Sequence, residues 1–181
     1  MPLVIIGLGN PGPEYAGTRH NVGKMLLDYF SEKYGIPLEK KQGSVLFGDG
    51  AWRTHRLLLV FPLTFMNLSG KIVPWLKLKG AGDPSQWLLL HDDLDTPFGM
   101  VRFREKGGSG GQRGVESILG AAGSKDISRI KLGIGRPAFA DTNISDYVLS
   151  PFSKEEKERL PALFENAHAL AEKWLLARSG H

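Results

Sequence analysis

The 181-residue chain has no cysteine. Disulfides, thiolate zinc sites and a cysteine nucleophile are therefore excluded, and a reducing, cytoplasmic setting is expected. Long hydrophobic runs are missing too: no apolar stretch approaches the roughly 20 residues of a membrane helix. No basic segment or cleavage-site pattern surrounds the first apolar run, LVIIG, so no signal peptide and no membrane partner are expected. Repeats, linkers and low-complexity segments are lacking, which predicts one domain over residues 1–181. Acidic residues are scarce in one region. From Gly99 to Arg136 there are three acids against eight basic residues, in a chain whose net charge is +4. Such a local excess favours a polyanionic partner such as nucleic acid, or is simply a solvated basic face.

What is present alternates between strand and helix patterns. LVIIG, SVLFG, RLLLVF and WLLLHD read as strands, the more continuous apolar ones buried on both faces, with a glycine-containing turn between SVLFG and RLLLVF. GMVRFRE and ISRIKLGIG alternate, which places Arg129 and Lys131 on one face and Ile130 and Leu132 on the other. Val22, Met25, Leu26, Tyr29 and Phe30 fall at helical spacing, stopped by Gly35 and Pro37. LSGKIVPWLKLKG predicts a helix opening near Ser69, with Pro74 awkward inside it, and GQRGVESILGAAG predicts a short one. From Ser153 to about Arg178 the chain predicts an amphipathic helix with Ser153 as N-cap and Pro161 as a potential break. The fold class is α/β: a single domain with a twisted mixed β-sheet flanked by α-helices and a C-terminal amphipathic helix.

GLGNPG, from Gly7 to Gly12, fits the spacing of a dinucleotide-binding loop. Such a loop needs a helix starting inside the motif, facing the pyrophosphate. Here Pro11 and Pro13 interrupt that start, and the helical pattern begins only near Asn21. The glycines instead suit a tight turn that brings backbone close to a ligand.

Asn10 follows the first strand, Asn67 follows RLLLVF through PLTFM, and Asp92 ends WLLLHD. Ligands of open α/β sheets bind beyond the carboxyl ends of the strands, so these side chains share one edge, which His20 of TRHN also enters. The set suits water-mediated acyl hydrolysis. An imidazole takes a proton from water, a carboxylate on its other nitrogen fixes the tautomer, and amides bind the carbonyl oxygen. Taken singly, each residue also fits a cap or turn role, and Asp92, Asp93 and Asp95 fit a hard-cation site less well. Downstream, KGGSGGQRG (Lys106 to Gly114) allows close backbone approach to a phosphate, with Arg102, Arg104, Arg113 and Lys131 around it. A flexible surface loop is the alternative.

Together GLGNPGPEY, TRHNVG, TFMNLSGK, HDDLD and the GGSGG loop, in this order, make the chain resemble bacterial peptidyl-tRNA hydrolases from Val4 through the last helix. The resemblance implies a monomeric enzyme of translation and ribosome rescue, without metal or organic cofactor. Such an enzyme cleaves the ester between peptide and tRNA and returns tRNA to use. It implies that His20 is the general base, that Asp92 orients it, and that Asn10 and Asn67 place peptide and water. Tyr15 and Met66 are implied to line the site, with Gly110, Gly111 and Arg113 binding substrate. Arg102, Arg104 and Lys131 are implied to hold tRNA phosphate at the acceptor stem. One departure stands out: the family usually has His-Asn-Gly after the glycine loop, where this chain has Gln112-Arg113-Gly114. The family also has relatives that bind RNA in splicing without hydrolysis, the alternative reading.

Overall fold

The computed structural model describes residues 1–180. In chain order the elements are β1 (Leu3–Gly7), α1 (Val22–Tyr34), β2 (Lys40–Gln42), β3 (Val45–Trp52), β4 (His55–Pro62) and α2 (Val73–Leu78). They continue with β5 (Trp87–Asp93), β6 (Val101–Arg104), α3 (Arg113–Ala122), β7 (Ser128–Gly133), α4 (Ile144–Val148) and α5 (Lys154–Arg178). Seven strands form one mixed sheet in the order β2-β3-β4-β1-β5-β7-β6. The central four, β4, β1, β5 and β7, are parallel, and antiparallel strands extend both edges. The continuous apolar runs LVIIG, RLLLVF and WLLLHD fall in β1, β4 and β5 at the middle of this sheet, because helices cover both of their faces.

Alternate residues feed two core layers. Leu3, Ile5, Leu88 and Leu90 pack with the apolar faces of α1 and α5. Val4, Ile6, Trp87 and Leu89 pack with α2 and α3. Neighbouring strands β1 and β4 thus lead to helices on opposite faces of the sheet, α1 and α2, which opens a crevice at the carboxyl ends of the central strands.

Two glycines set the walls of that crevice. A Cβ on Gly23 would lie 2.2 Å from the carbonyl oxygen of Leu90, so only glycine lets the first turn of α1 rest on the main chain of β5. A Cβ on Gly70 would lie 2.3 Å from the carbonyl oxygen of Ser117, which seats the segment after β4 directly on α3.

Several expectations need correction. The helix foreseen from Ser69 is a 3-10 turn, Met66–Ile72, followed by α2, with Pro74 in the first helical turn where its missing N–H is harmless. Pro161 does not break α5. Its ring is on the exposed face, where water can serve the freed carbonyl. The β3–β4 hairpin turns at Arg53 and Thr54, not at glycine, with Arg53 at φ 53°. A short strand, β2, was not foreseen. Arg129 shares a face of β7 with Lys131, as expected, but is only 1% exposed, because the glycine loop covers it through the Gly107 and Gly108 carbonyls.

Candidate active site

A cleft of about 520 Å³ opens at the carboxyl ends of β1 and β5. Asn10, His20, Met66, Asn67 and Asp92, expected from sequence, all line it, as do Gly110, Gly111 and Arg113.

Asp92 is the last residue but one of β5 and is 4% exposed. His20 stands in a 3-10 turn, Arg19–Asn21, that leads into α1. The close seating of α1 on β5 brings the two together: Nδ1 of His20 lies 2.8 Å from Oδ2 of Asp92. A carboxylate accepts only, so Nδ1 carries the proton in the neutral ring, and Nε2 holds the free lone pair. Chemically this is a base whose tautomer is fixed by its partner.

Asn10 is held on three sides. Its N–H donates to Oδ1 of Asn21 (2.9 Å), and its carbonyl accepts from Nδ2 of Asn21 (2.9 Å). Its own Oδ1 accepts the Met66 N–H at 2.7 Å. The amide orientation follows: Nδ2 is the group left, a donor that no described residue engages. Asn67 is exposed on the following 3-10 turn, at the rim of the same cleft.

The glycine loop enters from the α3 side. Gly110 and Gly111 have φ of 61° and 88°, a path that other residues rarely take. The helix begins only at Arg113, and Gln112 is its N-cap, its Oε1 accepting the Val115 N–H at 2.8 Å. The Gln112 side chain thus takes up one of the amides at the start of α3. Arg113 is exposed at the rim.

Tyr15 is not part of the lining. It meets exposed Phe65 edge-on, with ring centroids 6.2 Å apart, and Phe65 in turn lines the cleft. Arg102, Arg104 and Lys131 are also outside it. Arg102 and Arg104 are exposed on edge strand β6, whereas the Lys131 ammonium lies 3.3 Å from Oδ2 of Asp93. Burial works to raise the Asp93 carboxyl, but hydrogen bonds from Thr96 and Asp95 and the Lys131 charge hold it below the usual carboxylate range. Arg129 is buried with no carboxylate partner among the described residues and donates to the carbonyls of Gly108 (2.5 Å) and Gly107 (2.7 Å), anchoring the base of the glycine loop. Burial first, then the Arg104 charge, lowers its pKa. His91, 1% exposed, donates Nδ1–H to the Asp92 carbonyl (2.8 Å), and burial pushes its pKa down. Among the described residues no cluster of three or more His, Asp or Glu could hold a metal ion.

Sequence reasoning missed Asn21, Phe65 and the apolar side of the cleft, which Leu94, Ile144, Val148 and Leu149 supply, and marked Gln112 only as part of the departure from His-Asn-Gly. Asn21 had a signal, since it sits beside His20 in TRHN. The short helix α4 carried almost none. Arg19 was also missed. It fastens the His20 turn to the α4–α5 corner through the Pro151 carbonyl (2.9 Å) and Glu156 (2.7 Å), with its guanidinium 4.5 Å from the centre of the Tyr147 ring.

Comparison with known proteins gives a consistent result. The family model described as peptidyl-tRNA hydrolase matches residues 4–179. The peptidyl-tRNA hydrolase of Geobacter metallireducens is 46% identical over 162 residues, covering 90% of this chain and 82% of that protein. That of Moorella thermoacetica is 45% identical over 170 residues, covering 93% and 89%. The crystal structure of peptidyl-tRNA hydrolase from Acinetobacter baumannii superposes with a TM-score of 0.89 at 32% identity, covering 98% of this chain and 90% of that one.

Proposed function

Since the chain belongs to the peptidyl-tRNA hydrolase family, we propose that it hydrolyses the ester between the peptide and the tRNA of peptidyl-tRNA, and that the His20–Asp92 pair drives the step. Nε2 of His20 takes a proton from water as the water oxygen bonds to the ester carbonyl carbon. Asp92 stabilises the imidazolium formed. Nδ2 of Asn10 and the amide of Asn67 bind the carbonyl oxygen and the adjoining peptide as negative charge develops. Collapse of the tetrahedral intermediate breaks the bond to the terminal ribose oxygen, which receives the proton held by His20. The products are a peptide carboxylate and free tRNA.

The observation that carries this reading is the 2.8 Å His20–Asp92 contact at a cleft that Asn10 and Asn67 also line. The surrounding chemistry fits both halves of the substrate. Phe65, Leu94, Ile144 and Leu149 offer apolar surface to peptide side chains, and the exposed Arg102, Arg104 and Arg113 offer charge to RNA phosphates.

Single-turnover release of free tRNA from an N-acetyl-aminoacyl-tRNA tests it, run beside His20→Ala and the unblocked aminoacyl-tRNA. Release from the blocked substrate alone, falling by roughly 10²–10⁴-fold in His20→Ala, is the expected outcome. Tight tRNA binding without release would instead favour an RNA-binding relative.

A further inference from the structure

The Asp92 carboxylate has two oxygens and, among the described residues, one side-chain partner for each. Oδ2 faces His20, and Oδ1 accepts from Nε2 of Gln112 at 3.0 Å. We infer that Gln112 is a positioning residue of the catalytic pair: it fixes the rotation of the carboxylate that meets His20, and its own amide is oriented by the first turn of α3. The inference rests on the proposed hydrolysis for its kinetic consequence, and on geometry alone for the rest.

The orientation is determined by a chain of donors and acceptors. The Val115 N–H is a donor, so the atom of Gln112 that meets it at 2.8 Å must be Oε1. The opposite atom is then the NH₂ group, which faces Oδ1 of Asp92 and, at 3.3 Å, the sulfur of Met66. Both of those are acceptors, so a flipped amide would set oxygen against oxygen on one side and N–H against N–H on the other. A backbone amide of α3 thereby dictates the direction of the Gln112 side chain, and Gln112 dictates that of Asp92. Gln112 needs its full length for this. It is the N-cap of α3, a place where asparagine also serves well, but asparagine is one methylene too short to cap the helix and still reach Asp92.

That difference separates the two jobs. In Gln112→Asn the cap survives, so the melting temperature stays at or above that of the parent, while the single-turnover rate falls by roughly 10- to 100-fold as Asp92 loses its fixed orientation. The Asp92→Asn background gives the opposite sign. There the Gln112 NH₂ keeps the substituted amide's oxygen on its own side and turns the amide NH₂ toward Nδ1 of His20. That selects the tautomer with its proton on Nε2, which cannot act as a base. Adding Gln112→Asn frees the amide to flip, so the double variant should be faster than Asp92→Asn alone.

The experiment is the four-member cycle on N-acetyl-aminoacyl-tRNA, with melting temperatures, together with proton NMR of the His20 Nδ1–H in the free proteins. Relief of the Asp92→Asn defect by Gln112→Asn supports the inference. Equal fractional losses in both backgrounds, or a parental rate in Gln112→Asn, would overturn it. If the parent itself releases no tRNA, the proposed hydrolysis fails, and the NMR arm still decides the positioning role. A His20 Nδ1–H resonance that shifts and exchanges faster in Gln112→Asn supports it, and an unchanged resonance rejects it.

Discussion

His20 and Asp92 stand 72 residues apart in the chain, yet Nδ1 of one lies 2.8 Å from Oδ2 of the other. The contact depends on how closely α1 approaches β5. No side chain intervenes there: Gly23 rests against the Leu90 carbonyl, two residues before Asp92.

Gly23→Ala should therefore damage the site and the fold together. The added methyl meets backbone, which cannot swing aside, and a well-packed interior resists such insertion by about 1–3 kcal/mol. Denaturant unfolding should show that loss. The turnover of the remaining folded enzyme should fall as well, since His20 moves with α1. Parental stability would mean that α1 is free to shift.

His91 sets a pH limit on stability. Its folded pKa lies below the ordinary imidazole value because burial disfavours the charged ring. A depressed folded pKa means that the unfolded chain binds the proton more readily. The contribution of His91 is thus fully present above the unfolded value of about 6.5 and is lost as pH falls below it toward the lowered folded value. Urea unfolding from pH 8 to pH 5 should show this decline in the parent. It should be much shallower in His91→Leu, and parallel curves would exclude the effect.

The basic edge strand should carry part of the salt dependence of tRNA binding. Arg104 is exposed and makes one hydrogen bond, Nε to the Lys106 carbonyl at 3.0 Å, whereas Lys131 is already beside Asp93. Arg104→Ala should lower the slope of log K against log salt by about 0.7–0.9 for one lost phosphate contact, with a smaller change for Lys131→Ala. An unchanged slope in Arg104→Ala would place the phosphate contacts elsewhere.

Much of the site was legible because it lies where apolar runs stop. Strand ends are marked by Gly7 and Asp92, and the parallel arrangement sends their flanking residues to one edge. His20, Asn10 and Asn67 could be grouped on that basis before any distance was known. What the sequence hid were relationships that depend on packing. Arg129 looked exposed from its alternation with Ile130, but alternation marks a solvent face only when one side of a strand is open, and the glycine loop covers Arg129. Gln112 was placed at the opening of a short helix, but its reach to Asp92 depends on the seating of α3, which the sequence does not show. The α4 wall is five residues long, too short for a periodic signal.

Gly23 and Gly70 act as locating pins between the two sides of the cleft. Each replaces a compressible side-chain layer with contact between one main chain and another, and main-chain dimensions are the same in every protein. Leucines and valines deeper in the sheet can then be exchanged over generations and the core repacked, without altering the gap across which His20, Asp92 and Met66 face one another. The tolerance of the reaction centre is set by two residues with no side chain, and the rest of the interior is left free to drift.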